Sequence, residues 1–423
     1  MFKLKANERS LLVLFILYRI LLDVCFVVYL NEYYSFSGFA LDFNLGKYLG
    51  SLFVLLLFFI LLSKQNNKPS EALIQFLFLT TFVPISSYYA MSNEETNWFL
   101  LSALFWFIIL IFQNSHIYLK TINLQTRLNT KTIIYSLIIF ILLVFAIVIN
   151  YTGVSFNINL YKVYEIRAES KLHEIPFAGY FVNWTAKVIL PFLILYYFLR
   201  EKNKFNYKFI SLVLLAVLLF SITGHKSYLF IVPMVLGSFY LLKTKSFYFS
   251  TLLVLCFIIV IGMFLFFTFN EPTIITFLVR RTLFLPAQIS FYYYDFFKGE
   301  PIYLSNSIFS SFIDYPYTKE PAFLIGKYYL GKESVSANNG IISDGYANFG
   351  VFGVVLWSIF FFLLTKLVDS ITKNKSIFLI LPIMLVSFKT FIDAAFFTTL
   401  LTHGLLIALL ISYVYPKNNL NLK

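Results

Sequence analysis

The chain has 423 residues, of which 60% are hydrophobic, 21% aromatic and only 13% charged, with a formal net charge of +13. A soluble domain is about half apolar and about a quarter charged, so an ordinary soluble domain is excluded and the composition points to an all-α, polytopic membrane protein. The basic excess then reads as a topology signal rather than a nucleic-acid footprint. The two cysteines, Cys25 and Cys256, lie inside apolar runs and suggest neither a disulfide framework nor a metal site.

A ~30 Å hydrocarbon core needs about 17–25 apolar residues. Twelve stretches approach that length: 10–30, 46–63, 71–90, 97–113, 132–150, 179–199, 208–223, 227–242, 246–269, 340–365, 376–392 and 394–415. The first lacks a small-residue cleavage site and reads as a retained span. Inside it, Arg19 and Asp23 are four apart, as are Lys389 and Asp393 later, so each pair can neutralise itself on one helix face. Lys187 and His403 have no evident partner in sequence. With a cytoplasmic N-terminus, the inner connections hold nineteen lysines and arginines and the short outer ones hold three, Lys47, Lys226 and Lys389. That asymmetry predicts about twelve transmembrane helices with both termini inside.

Two connections are too long for turns, 151–178 and 270–339, and both face outward in this topology. Their apolar and aromatic content argues for an ordered outer layer rather than disorder. The chain thus reads as one integral membrane domain with two enlarged extracytoplasmic loops carrying interfacial helices. In the first loop, Leu160, Tyr164, Ala168 and Leu172 recur every four residues, which predicts an amphipathic helix at the interface. Arg167 and Lys171 share a face of it.

The stretch "ITGHKSYLF" places His225 and Lys226 where the chain briefly reaches the outer face, either to meet an anion or as a plain solvated turn. The second long loop opens with "FLVRRTLFLPAQISFYYYDFF", which predicts a helix broken or bent at Pro286. It holds six basic and six acidic residues, so Arg280 and Arg281 are a local concentration and not part of a basic cloud. Guanidinium groups take phosphate oxygens in bidentate fashion and stay charged when partly desolvated. Paired arginines against grease therefore suit an anionic head on an apolar tail, or else snorkelling to ordinary phospholipid. Tyr292, Tyr293 and Tyr294 follow in a run, which cannot all face one way. The next run enters through "ISDGYANFGVFGVVLW", whose Gly345, Gly350 and Gly353 permit close helix packing. Asp344 stands at its start, where an acid also suits a cap. The seven aspartates are never two residues apart, and there is no phosphate-binding GxxxxGK[ST] loop, HExxH or cysteine ligand set. No cofactor or metal is expected.

The multi-span layout with two enlarged outer loops, "TGHKSYLF", "VRRTLFLPAQISFYYYDF" and "SDGYANFGVFG" together resemble the Wzy-type O-antigen and oligosaccharide repeat-unit polymerases of bacterial cytoplasmic membranes. The resemblance implies a glycosyl transfer at the outer face of that inner membrane. A glycan on undecaprenyl pyrophosphate passes to a fresh lipid-linked repeat unit, and lipid pyrophosphate leaves. Partners would be undecaprenyl-pyrophosphate-linked glycans, membrane lipids and a chain-length regulator, with no nucleic acid. Some relatives carry an Arg-x10-Gly pattern in both outer loops. Here Arg167 and Gly179 are separated by eleven residues, and neither Arg280 nor Arg281 has a glycine at the matching distance. Such a reaction needs charge stabilisation for the departing diphosphate, a role open to Arg280 and Arg281. It also needs a proton acceptor, for which His173, Glu174, Asp295, Glu333 and Asp344 are eligible. Lys226, His225, Arg167 and Lys171 are candidate substrate contacts, and Tyr293 and Tyr294 candidate sugar platforms. An O-antigen ligase, or a lipid-linked oligosaccharide flippase or other transporter, is the alternative.

Overall fold

The computed structural model describes residues 8–65, 68–115, 117, 129–153, 177–307, 309–373 and 375–416. Among these the chain is all helical, without a strand. In chain order the helices begin with α1, Glu8–Cys25, which runs on through a π turn, Phe26–Leu30, into Asn31–Tyr34. Then come α2 (Leu45–Leu61), α3 (Pro69–Met91), α4 (Thr96–Phe112), α5 (Thr130–Thr152), α6 (Ala178–Arg200), α7 (Tyr207–Thr223), α8 (Ser227–Leu242) and α9 (Phe247–Phe269). A π-helical segment, Ile275–Phe284, leads into α10 (Leu285–Phe296), followed by α11 (Pro321–Leu330) and α12 (Ile341–Thr372). The chain closes with α13 (Ile377–Lys389), α14 (Phe396–Leu400) and α15 (Leu405–Val414).

Local chemistry sets many of these boundaries. The side chains of Asn44, Asn129, Asn206 and Ser246 each accept from the backbone amide three residues on, at 3.0, 2.9, 3.0 and 3.2 Å, which starts α2, α5, α7 and α9. Gly224 and Asn270, both left-handed, stop α7 and α9.

Six helical stretches are long and apolar enough to cross a membrane: Glu8–Ser37, Pro69–Met91, Thr130–Thr152, Ala178–Arg200, Phe247–Phe269 and Ile341–Thr372. The protein is therefore a helical membrane protein by length and composition. The other apolar runs hold shorter helices of 10–17 residues or, at 394–415, a broken one. There Gly404, with φ +81, separates α14 from α15.

The chain divides into two compact units. The first comprises residues 1–117, 244–366 and 391–396. Its centre is α3, which packs against α1, α2, α4, α9, α10 and the π-helical segment. Nearly all of its residues are buried, as in a helix surrounded by protein. Arg19 is 1% exposed and pairs with Asp23 at 2.5 Å, while Ser86 O accepts from its other arm at 2.8 Å and Ser87 donates to Asp23. The four-residue spacing thus closes a neutral pair within α1, which α3 holds through Ser86 and Ser87. The second unit comprises residues 118–243, 367–390 and 397–423. In it α13 packs against α6, α8 and α15. The predicted amphipathic helix of the first long loop falls in residues 154–176, outside the described residues.

Candidate functional site

Ile275–Phe284 is wound as a π-helix, a form that recurs where function has displaced regular winding. Gly262 lets it lie close to α9, since a Cβ there would come within 3.3 Å of Ile274 and Ile275. Tyr29 Oη and Thr276 Oγ1, 2.7 Å apart, tie it to the end of α1. The chain does not break at Pro286; the winding changes from π to α one residue earlier. Proline fits the first turn of the new helix because its missing N–H would have no intrahelical partner there.

Adjacent residues on a helix do not face one way. Arg280 turns inward, with Cζ 4.0 Å from the Tyr34 ring centre and 5.7 Å from that of Phe39. Arg281 is exposed over Phe277. Burial pulls the Arg280 pKa below its ordinary value, with Tyr34 opposing that shift and Arg281 adding to it. The Arg280 Nε is buried without an acceptor, and neither arginine pairs with a carboxylate among the described residues. Beside this segment, α1 and α9 leave an open groove of about 760 Å³. Val24, Val27 and Val28 line one wall, Met263, Phe264 and Phe267 the other, with Glu32 and Thr268 toward its end. The same two helices meet through Tyr29 and Tyr33 against Phe266, at 4.8 and 5.0 Å between ring centres. The two helices that form the groove both touch the segment that carries Arg280, α1 through Tyr29 and α9 through Gly262.

A second polar feature adjoins Phe39. Gly38 has φ +87, and a Cβ on it would stand 2.1 Å from Tyr292 Oη and 2.3 Å from Gln288 Nε2. Gln288, 0% exposed, donates to Ser37 O and to Tyr292 Oη, each at 2.8 Å, while its Oε1 has no partner. Tyr88 donates to Gly38 O at 2.8 Å, and its ring meets Phe39. Next to Tyr88 is Glu94, in the short connection between α3 and α4. Lys47 Nζ holds this connection by donating to Asn93 O at 2.9 Å and Glu94 O at 2.6 Å. Burial pushes the Glu94 carboxyl up to about 7; Tyr88 and Lys47 work against the shift, and the charges of Asp295 and Glu95 add to it. Asp295 is exposed and accepts from Tyr329 at 2.6 Å, and the Tyr329 ring stacks on Tyr292 at 4.7 Å.

The remaining sequence candidates land as follows. Asp344 is 6% exposed and accepts from Trp357 Nε1 at 2.7 Å, Phe396 N at 2.9 Å and Asn348 Nδ2 at 3.0 Å. It is a buried knot around the bend of α12 rather than a cap of its own first turn. Tyr293 and Tyr294 are not open sugar platforms. Tyr293 is 1% exposed and donates to Ala337 O, and Tyr294 is packed against Trp98 and Tyr346. The face left partly open belongs to Tyr292. Glu333 bridges Lys319 and Lys327 at 2.8 and 2.7 Å, which together hold its carboxyl down at about 2. So low a value makes it a weak base. His225 and Lys226 belong to the second unit, half-buried, with the His225 ring 5.2 Å from Tyr228. In that unit Lys187, within a π turn of α6, meets His403 Nδ1 at 2.7 Å, a partnership that 216 positions of separation hide in the sequence. Arg167, Lys171, His173 and Glu174 lie outside the described residues. Glu94 was missed in the sequence; its only signal is "SNEET", acids in a short connection between two strongly apolar runs.

Among the described residues, no group of three or more His, Cys, Asp or Glu side chains is placed to hold a metal ion. No family model matches the chain, and no curated protein or solved structure is similar to it.

Proposed function

We propose that this protein is a membrane glycosyltransferase that polymerises undecaprenyl-pyrophosphate-linked repeat units at the outer face of the bacterial inner membrane, with release of lipid pyrophosphate. The observation that carries this reading is Arg280. Its guanidinium rests on an aromatic wall, its Nε lacks an acceptor, and an apolar groove lies between α1 and α9, the two helices that touch its segment through Tyr29 and Gly262. A prenyl tail suits the groove, and a diphosphate suits forked donors that no carboxylate neutralises. Arg281, exposed beside it, adds a second positive charge. Twelve membrane spans with both termini cytoplasmic, and the segment 270–339 outside, belong to this same proposal.

The test is the surface polysaccharide after deletion of the gene. Single repeat units attached to the outer lipid match a lost polymerase. Long glycan of normal length overturns the proposal, and absence of attached glycan moves the assignment to a ligase or flippase.

Transport of a lipid-linked glycan has one feature in its favour. Transporters bind cargo where helices are interrupted, and Lys187 in a π turn meets His403 beside the break between α14 and α15. Lys187→Ala separates the two. Loss of transbilayer movement of the lipid-linked repeat unit in vesicles, with polymerisation in detergent intact, favours transport.

A further inference from the structure

The glycosyl-transfer reading leaves its proton unassigned, and the three sequence candidates among the described residues are poorly placed for it. Glu333 is held ionised by two lysines, and Asp344 is enclosed by three donors. Asp295 is exposed and accepts from Tyr329. Glu94 is different. Its backbone is pinned by Lys47, so the carboxyl has a fixed origin. It lies against Tyr88, whose ring contacts Phe39, the same ring that Arg280 approaches. The neighbouring Gln288 is fully enclosed, and its Oε1 is an acceptor without a partner that a hydroxyl donor would satisfy. Gly38 brings its backbone so close to Tyr292 and Gln288 that a Cβ would collide with both, which fixes these side chains beside Tyr88.

We infer that Glu94 is the general base of the transfer, taking the proton of the attacking sugar hydroxyl beside Tyr88, Tyr292 and Gln288. This rests on the glycosyl-transfer reading. In the step, a lone pair of the acceptor hydroxyl oxygen forms the new bond to the anomeric carbon of the donor. The bond from that carbon to the diphosphate oxygen breaks, and its electron pair leaves on the lipid pyrophosphate, near Arg280. The hydroxyl proton passes to the Glu94 carboxylate, so charge and atoms balance without a metal or nucleotide. The groups that face Glu94 are Tyr88 of α3, Lys47 of α2, Asp295 of α10 and Glu95 at the start of α4. Tyr292 of α10 also feels its charge. The raised carboxyl, about 7, places a base near the pH at which it must work.

The experiment uses the full chain in nanodiscs and repeat-unit lipid extracted from producing cells, with polymer length read against pH. Wild-type turnover should rise as pH passes through about 7, because the base acts ionised. Glu94→Gln should lose about 10²–10⁴-fold in rate and lose that rising limb, while binding of farnesyl pyrophosphate, read separately, stays unchanged. Asp295→Asn removes a charge that raises the Glu94 carboxyl, so its limb should move to lower pH. A purely structural Glu94 would not transmit that shift. Wild-type protein that never lengthens the glycan overturns the polymerase reading itself. An active wild type with Glu94→Gln equal in rate and pH profile overturns the base assignment alone. Should Glu94→Gln fail to fold, the Asp295→Asn profile decides: an unmoved limb rejects Glu94 and an acid shift supports it.

Discussion

At the residue scale, the adjacent arginines turn out to be unequal. A helix sends neighbours in different directions, so only Arg280 sits in a built environment, while Arg281 remains in the open. Arg280→Lys keeps the charge but loses the fork. We expect it to lower turnover about 10²–10³-fold, the usual loss for one strong charge-stabilising donor, with normal accumulation in the membrane. Arg281→Lys should cost less than tenfold. Polymer length for the two variants checks this, and equal, near-normal chains from both would reduce the pair to an interfacial anchor. Glu94 also carries a stability prediction. Its folded value, about 7, exceeds the ordinary 4.5, so its contribution is complete below 4.5 and lost as pH rises through 7. Glu94→Gln, which stays neutral, should therefore raise the thermal midpoint at pH 8.5 and leave it unchanged at pH 4. The arginines were legible in sequence as charges within grease. Glu94 was not, because its environment is assembled from Tyr88, Lys47 and Asp295 on three other elements.

At the element scale, the decisive feature is the bend in α12. Phe349 and Gly350 leave helical geometry, with Gly350 at φ +59, and the chain folds so sharply that a Cβ on Gly353 would come 1.9 Å from Gly345 O. Gly345 and Gly353 permit close packing between the two helical limbs that meet at this bend. The end of the first limb is closed by the loop before α11: Ile302 N donates to Ala347 O and Tyr303 N to Asn348 O, at 2.9 and 3.0 Å. Asp344 then joins both limbs through Asn348 and Trp357. Asp344→Ala leaves buried donors unpaired, and we expect a loss of about 3 kcal/mol or more, read as a lower melting temperature in detergent. Asp344→Asn should be milder. Unaltered melting with abolished turnover in Asp344→Asn would return that residue to the catalytic candidates. Gly38→Ala belongs to the same scale. The overlap with Tyr292 and Gln288 should displace these side chains and reduce turnover while the helices remain.

At the scale of the whole molecule, the positive-inside count makes one prediction that needs no assay of activity. Cys25 and Cys256 are buried, so background labelling should be low. A cysteine at Ser334, exposed in the segment after α11, should react with an impermeant thiol reagent in cells stripped of outer barriers. Reaction only after lysis would invert the topology. Length and composition support six spanning helices outright. The shorter apolar helices need the charge asymmetry as a further argument, since helices of 10–17 residues fall short of the usual span.

What the sequence by itself determined is class and punctuation. Apolar runs dictate helices in a membrane, because every backbone group there must be paired within its own segment. Asparagine, serine and glycine at the run ends start and stop those helices through local bonds that reach only a few residues. The Arg19–Asp23 pair was legible for the same reason, its partners being one turn apart. The tertiary structure alone decided which arginine is enclosed, which tyrosine of three stays partly open, where Lys187 finds His403, and that Glu94 is held near neutrality. Those outcomes depend on burial and on partners tens to hundreds of positions away. Neither is encoded in the periodicity of one segment, and both appear only when the helices of each unit pack together.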